Sequence, residues 1–396
     1  MNDAITAIEP GTTKMVVLIG RRNQDGMLEL SGLGNVRYDG VQGDGWQSDG
    51  MISRALNEAL GQAQKMAGFR VGHCTLGIPN EFCGLARNTG EITPGRPVTK
   101  QDVMELRRMA ASYSLPSPWK ISNVLYGSFR TDGSSVGNPL GMMSERLVLE
   151  ASLVCIQNDF AKQLTRILSS LKIGVDRIIP VPLACGETFL TREEKQSGVV
   201  WIDVGGHSTD IVVYQKGIPV LFDWLPVGGD TITQDIVAGT GVVSEEAEKL
   251  KKYCVLGLAL NNETEASVMD MPVRSGKSIH NVPLAFLQEI VEARIEELLE
   301  IIRDKIAAEG LMAGCRTVVL AGGGISLLRG IREFASRVLG IPIRLGVPDV
   351  IGLSSPTLSA VYSLGCSSLD SADGLSAQKI IKALIRKFKH QFSYFL

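Results

Sequence analysis

Two short segments of this chain carry residue types suited to binding phosphate. Glu9-Pro-Gly-Thr-Thr-Lys14 supplies a carboxylate, a glycine, two hydroxyls and a lysine. Asp203-Val-Gly-Gly-His-Ser-Thr-Asp210 supplies two carboxylates, two glycines and two hydroxyls. A polyphosphate packs several negative charges into a small space. Backbone N–H groups in tight glycine-rich turns can grip it without bulky side chains in the way. Hydroxyls add hydrogen bonds. Carboxylates in such a turn cannot face phosphate directly, so they must hold Mg²⁺ through water or position a nucleophilic water. A third segment, Ala321-Gly-Gly-Gly-Ile-Ser326, falls between a strand pattern and a helix pattern. A glycine-lined helix N-terminus there would lie close to adenine and an α-phosphate. Each segment alone fits a plain hairpin or close-packing turn equally well. The set is more specific than its parts.

The elements around these segments follow from hydrophobic period and turn residues. Ala4 to Gly20 predicts a β-hairpin with Glu9–Thr13 at its tip, and Leu28 to Val36 a third strand of the same meander. Ile52, Ala55, Leu56, Ala59, Leu60, Ala63 and Ala67 form a helical stripe. Cys74 to Pro79 reads as a short buried strand. From about residue 80 to 150 glycine, proline and polar residues increase, with a helix from Thr99 to Ser112 capped by Thr99 and a strand from Arg146 to Ile156. This stretch reads as a small α+β insertion. Asp159 to Lys172 and Pro182 to Leu190 read as helices around a strand ending at Ile178–Pro182. Val199 to Asp203, Asp210 to Tyr214 and Val220 to Leu225 predict a second meander. A strand–turn–strand unit with a Gly/Thr/Asp tip thus occurs twice, about 190 residues apart, suggesting two related lobes. Thr231 to Val237, Glu245 to Lys252 and Leu287 to Glu309 read as helices. Val318 to Leu320 reads as a strand, and Leu327 to Leu339 as the helix after the triple glycine.

Composition narrows the possibilities. The 396 residues are 44% hydrophobic and 21% charged, with a formal net charge of −2. No global charge draws the chain to nucleic acid or anionic lipid. The seven cysteines form no C-x-x-C pair and the four histidines do not cluster, so reduced thiols are expected and a zinc site is not. The N-terminus has neither a basic flank nor a long apolar core, so it does not read as a signal peptide. No run of about 18 apolar residues predicts a membrane-spanning helix.

The phosphate segments resemble those of the actin, sugar-kinase and Hsp70-type ATPases. The resemblance narrows through Gly228-Gly-Asp-Thr-Ile-Thr233, Ala247-Glu-Lys-Leu-Lys251, Asn138-Pro-Leu-Gly-Met142 with Arg146-Leu147, Pro182-Leu-Ala184 and Leu320-Ala-Gly-Gly-Gly324. Together these resemble the bacterial FtsA family, over nearly the whole chain. The resemblance implies an α/β, actin-like two-lobed ATPase fold with a small α+β insertion domain and a C-terminal amphipathic helix. It divides the chain into a first-lobe core (1–79 and 154–197, with a return at 346–364) and an insertion domain at 80–153. The second-lobe core takes 198–235 and 305–345, with a subdomain at 236–304. A linker at 365–378 and a membrane-targeting helix at 379–396 complete it.

The resemblance also implies roles, with ATP and Mg²⁺ as ligands. Glu9 and Asp203 would be the catalytic carboxylates, meeting the metal through water. Gly11, Thr12, Thr13 and Lys14 would line the β- and γ-phosphates. Gly205, Gly206, Ser208 and Thr209 would form the second phosphate loop, with Gly228 and Gly229 approaching from the next turn. Gly322, Gly323 and Gly324 would lie near adenine. Glu248 would accept from ribose hydroxyls and the Lys251 stem would pack on the base; a solvated i,i+3 pair is the other reading. The chain departs from the pattern in several places. Glu9 stands where aspartate is usual, and Pro10 removes an N–H beside the phosphates. His207 replaces a third glycine, either as a phosphate ligand or as a side chain pointing to the cleft mouth or solvent. Val181 stands where chaperone relatives carry a water-orienting glutamate, and an aliphatic side chain cannot polarise water. Nucleotide binding with at most slow hydrolysis is the expectation.

The last residues differ from the rest. Ile380, Ile381, Leu384, Ile385, Phe388, Phe392 and Phe395 share one helical face, while Lys379, Lys382, Arg386, Lys387 and Lys389 lie largely elsewhere, with no acid among them. That pattern fits an in-plane membrane helix on anionic lipid; a helix docked on a protein surface is the alternative. The family resemblance implies a peripheral protein on the cytoplasmic face of the membrane at the division site. It would self-assemble into filaments and tether the ring protein FtsZ through residues 236–304, among other division proteins and without nucleic acid. A sugar-kinase-like enzyme and a pilus-assembly relative are the competing readings. The basic tail and the Asn-Pro-Leu-Gly segment argue against the first, and the tail against the second.

Overall fold

The computed structural model describes residues 4–42, 45–46, 48–257, 270–275 and 278–370. The membrane expectation, on Ile380, Ile381, Lys382, Leu384, Ile385, Arg386, Lys387, Phe388, Lys389 and Phe392, lies outside the described residues.

Two five-stranded sheets carry the molecule, and their strand orders match. In the first, Ile5–Pro10, Lys14–Arg22 and Leu28–Arg37 form an antiparallel meander. The strand His73–Ile78 joins the free edge of the first strand in parallel, and Gly174–Pro180 joins that in parallel. In the second, Val199–Val204, Thr209–Gln215 and Ile218–Leu225 form the meander, and Thr317–Ala321 and Ile343–Leu345 add in parallel. The duplicated turn chemistry seen in the sequence therefore marks a duplicated sheet. Parallel strands need a crossover between them. The long helices Asp49–Ala67 and Leu284–Ala308 lie in the connections leading to His73–Ile78 and Thr317–Ala321.

Packing explains why the first meander tolerates glycine in a strand. Gly32 and Gly34 alternate along Leu28–Arg37 and face the alanine stripe of the helix Asp49–Ala67. A Cβ on Gly34 would sit 1.8 Å from the Ala59 carbonyl oxygen, and one on Gly32 would sit 2.2 Å from that of Ala63. Small residues on both sides let the helix backbone lie against the sheet. Ile52, Leu56 and Leu60 then fill the first core with Met15, Val17, Ile19 and Leu76.

Inserted between the strands His73–Ile78 and Gly174–Pro180 of the first sheet is a four-stranded antiparallel sheet built on Cys83–Ile92, Trp119–Thr131 and Leu147–Gln157. The helix Lys100–Ala111 covers it, burying Leu106 and Ala110 against Phe129, Leu147 and Leu149. Thr99 caps that helix in a reciprocal capping box with Asp102, the cap expected from the sequence. Ser152 in this sheet donates to the Pro219 carbonyl of the second large sheet at 2.6 Å.

Two expectations change. The helix after the triple glycine spans Ile331–Leu339 and does not start at Leu327. Gly330, at φ +78°, turns the chain, and Val255 bridges Arg329 just before it, so residues 325–330 cannot continue a helix. The expected linker from Gly365 is helical as far as residue 370. Leu364, Ser368 and Leu369 are buried there, and Arg22 and Arg177 hold the Leu369 and Ser367 carbonyls. The serine-rich composition hid a helix whose hydroxyls bond back to its own turns, as Ser368 does to Leu364. No described helix is long and apolar enough to cross a membrane.

The Gly34 contact is testable. Gly34→Ala forces a methyl into the Ala59 backbone and should cost about 2–3 kcal/mol of stability. Denaturant titration followed by circular dichroism should show the midpoint falling.

Candidate functional site

A cleft of about 460 Å³ opens where the tips of the two meanders face each other. Its lining includes Glu9, Gly11, Thr12, Thr13, Lys14, Asp203, Gly205, Gly206, Ser208, Gly229, Glu248, Lys251, Gly322, Gly323 and Gly324, so most of the residues singled out in the sequence meet here. Two do not line it. Thr209 is fully buried and donates from Oγ1 to the Val227 carbonyl at 2.7 Å. Gly228 sits behind the loop, where a Cβ would come 2.4 Å from the Gly206 carbonyl oxygen. Both shape the second loop from beneath.

Local geometry follows from turn chemistry. In the first tip, the Gly11 N–H donates to the Lys14 carbonyl at 2.9 Å, closing the hairpin. Pro10 pairs with Met15 as the last residue of its strand. In the second tip, the Gly205 N–H donates to the Ser208 carbonyl at 2.8 Å. The two tips touch: a Cβ on Gly206 would lie 2.3 Å from Thr13 Cγ2. Only a residue without a side chain lets the loops approach this closely. The first and second tips thus present adjacent backbone amides and hydroxyls to one space.

The triple glycine closes the inner wall as a bend, without the helix N-terminus expected from the sequence. Gly322, at φ +85°, brings its backbone against Val204 and Asp203, and the Gly324 N–H donates to the Val204 carbonyl at 2.8 Å.

Charge in the inner cleft is lopsided. Glu9, Glu81, Asp203 and Asp210 converge, and Lys14 is the cation that most offsets Glu9 and Asp203. Burial pushes Glu9 up to about 7; Lys14 pulls it down and Asp203 raises it again. Burial pushes Asp203 up to about 6; Lys14 pulls it down and Glu81 raises it again. Asp210 is raised further by burial and by the neighbouring Glu81 and Asp203, although Asn80 bonds to it. Burial raises Glu81 as well, with Ser208 bonding to it. The Lys14 ammonium rests on the Thr357 carbonyl. Glu9 accepts from the Val361 amide, but its Oε2 is sealed from solvent with no partner. Glu81 Oε1 is likewise sealed and unpartnered.

Buried, unpartnered carboxylate oxygens are costly unless something positive or hydrogen-bearing meets them. A hydrated Mg²⁺ fits Glu9 and Asp203, because both face the loops that would carry phosphate. No group of three or more Asp, Glu, His or Cys side chains among the described residues is arranged to hold a metal directly. The donor set therefore suits an ion that keeps waters and shares phosphate oxygens, as Mg²⁺ does.

At the outer end Glu248 and Lys251 do more than pair on a solvated face. The Lys251 side chain is only 3% exposed; it meets Glu248 at 2.6 Å and donates to the Gly229 carbonyl and Thr233 Oγ1, each at 3.1 Å. Glu248 also accepts from Thr233 at 2.8 Å. The pair braces the start of the helix Gly229–Thr240 at the cleft wall. His207 is not among the lining residues. Its ring lies 3.3 Å from Asp39 and 3.2 Å from Asp230.

Glu81 and Thr357 were missed from sequence. Glu81 stands in a single turn just after a strand, and Thr357 in the short turn Pro356–Leu358, neither within a repeated motif. The signal for Glu81 was its place just past the buried strand ending at Pro79, since ligands in open α/β sheets gather at the carboxyl ends of strands.

The raised carboxylates predict how stability varies with pH. A folded-state value of about 7 for Glu9 against an ordinary 4.5 means that the folded chain keeps a proton the unfolded chain has lost. The nucleotide-free protein should therefore lose stability as pH rises from about 4.5 to 7, by up to about 3 kcal/mol from this group alone. Glu9→Gln removes that loss. Denaturant titrations between pH 5 and 8 should show a flatter profile and a more stable variant at pH 7.5.

Comparison with known proteins bears on the family and the fold. Residues 200–363 match the family model described as cell division protein FtsA. Cell division protein FtsA of Bacillus subtilis is 28% identical over 90% of this chain and 81% of its own. Among solved structures, one titled as a PilM–PilN type IV pilus biogenesis complex aligns at TM-score 0.60 and 14% identity, covering 93% of this chain and 99% of its own. MreB5 of Spiroplasma citri, solved bound to AMPPNP, aligns at TM-score 0.53 and 12% identity over 96% of this chain and 99% of its own. At such identities these structures establish the fold and nothing narrower. Sequence and fold together bear out the resemblance read from the motifs: the chain is a relative of the FtsA cell-division proteins, built on the actin-like fold.

Proposed function

We propose that this chain binds ATP with Mg²⁺ in the cleft between its two sheets and acts in cell division as a membrane-bound filament protein that anchors FtsZ. The observation that carries the nucleotide reading is the meeting of the two loop tips, with Gly206 against Thr13, around a lysine and unpartnered carboxylates. In that reading the amides of residues 12–13 and 206–208 and the hydroxyls of Thr12, Thr13 and Ser208 hold the phosphates, while the Gly11 and Gly205 amides close the two turns. Lys14 leaves the Thr357 carbonyl to meet phosphate charge. Glu9 and Asp203 hold the water shell of the metal, which when bound supplies neutralising charge between phosphate oxygens and carboxylates. Glu248 meets ribose hydroxyls, and the Gly322–Gly324 bend leaves room for the base.

The role in division rests on kinship with FtsA proteins and on the amphipathic pattern of residues 379–396. The subdomain at 236–304 is the proposed FtsZ-facing part, the domain bounds read from the sequence being kept as part of the proposal. A basic amphipathic helix of that length holds a membrane reversibly, at roughly 1 kcal/mol per Lys or Arg near an anionic surface. Filament formation multiplies such weak anchors into stable attachment. The pilus-biogenesis neighbour shares the fold at 14% identity, which carries no function over to this chain.

Two measurements test the reading. Lys14→Ala should weaken binding of a fluorescent ATP analogue by at least about tenfold, the worth of one charge-assisted bond; unchanged affinity would sink the assigned loop role. In co-sedimentation with vesicles containing anionic lipid, the full chain should pellet and a version ending at Asp373 should stay in solution. Equal behaviour of the two would remove the membrane role.

A further inference from the structure

Hydrolysis of a bound triphosphate needs an acceptor for a proton of the attacking water. Val181 cannot supply one. Its position in the sheet shows what stands beside it. Val181 follows the strand Gly174–Pro180, which runs parallel to His73–Ile78 with Pro180 opposite Ile78. The two chains therefore leave the sheet side by side at their carboxyl ends. Val181 packs on the neighbouring strand, its Cγ2 2.9 Å from where a Cβ on Gly77 would be. The extension of that neighbour is Pro79-Asn80-Glu81, and Pro79, Glu81 and Val181 all line the cleft.

This extension is fixed from both sides. Asn80 Nδ2 donates to the Asp223 carbonyl of the second sheet at 2.6 Å, and the Asn80 side chain bonds to Asp210. Phe82 stacks on Phe160 with ring centroids 3.6 Å apart, and Trp46 meets both rings edge-on. Between these anchors Glu81 is held by Ser208 of the second loop, while its Oε1 is buried with no partner. The other carboxylates have competing tasks: Glu9 and Asp203 feel the Lys14 charge, and Asp210 is held by Asn80.

We propose that Glu81 is the catalytic carboxylate that orients and deprotonates the attacking water, filling from the neighbouring strand end the role that Val181 cannot perform. The inference rests on the nucleotide reading above. Glu81 accepts a hydrogen bond from the water and takes one of its protons while the water oxygen bonds to the γ-phosphorus. The bond from that phosphorus to the bridging oxygen breaks, and the bridging oxygen leaves with the electron pair as ADP. Inorganic phosphate is the second product, and the proton on Glu81 returns to solvent.

The test uses the full chain with Mg²⁺, measuring single-turnover hydrolysis of ATP, affinity for a fluorescent ATP analogue, and affinity for ADP with aluminium fluoride. Glu81→Gln keeps size and shape. It should slow hydrolysis by about 100-fold, leave ATP-analogue affinity within about threefold, and weaken the aluminium fluoride complex by a factor comparable to the rate loss. Adding Val181→Glu to that variant should recover part of the rate, because a carboxylate then returns at the adjacent strand end. A Glu81→Gln rate within about threefold of wild type overturns the assignment, as does a loss of ATP-analogue affinity equal to the loss of rate. Wild-type protein that binds nucleotide but never turns over also overturns it, and leaves nucleotide binding standing. Failure to bind nucleotide at all removes both readings.

Discussion

Burying several carboxylates around one lysine is unfavourable unless the site is completed by something else. That constraint organises the inner cleft. Glu9, Glu81 and the Asp203–Asp210 pair come from three different segments, each brought in by a strand end or hairpin tip that also packs the core. The fold spends stability to hold them there. Raised proton affinity is one response, since protonation discharges a buried carboxylate. A hydrated cation with its phosphate partners is the other way, and the unpartnered oxygens of Glu9 and Glu81 are where such a ligand set would find acceptors.

The glycines are the second half of the same design. The tips meet because Gly206 has no side chain to hold Thr13 away, and the triple-glycine bend lies against Val204 and Asp203 for the same reason. Backbone amides can then reach a ligand from both sheets. Other side chains join segments on either side of the cleft. Asn80 reaches Asp223, Ser152 reaches Pro219, and His207 stands between Asp39 and Asp230. A ligand that changes the spacing of the tips would act on these contacts together.

Much of the frame was legible in the sequence because it rests on local rules. Period-two apolar runs marked the meanders, a period-3.6 alanine and leucine stripe marked the helix Asp49–Ala67, and Thr99 with Asp102 announced a cap. The phosphate loops were legible for the same reason: their glycines and hydroxyls are contiguous. Where local signals misled, a specific contact overrode them. Gly330 and the bridge from Val255 to Arg329 delayed the helix after the triple glycine. Serines at 359, 363 and 368 bonded to their own helix and concealed it behind a linker-like composition.

By itself, then, the sequence determined two glycine- and hydroxyl-bearing hairpin tips, their duplication, the kinship with FtsA proteins and a basic C-terminal segment with periodic apolar residues. Each of these depends on residues near one another in the chain. Tertiary structure alone decided what those tips face. It placed Glu81 beside Val181, turned His207 toward two aspartates, and buried the Lys251–Glu248 pair under the cleft wall. These outcomes depend on the parallel pairing of strands about a hundred residues apart and on how two sheets meet. No local pattern encodes them, because the free energy that selects them comes from packing and desolvation across the whole cleft.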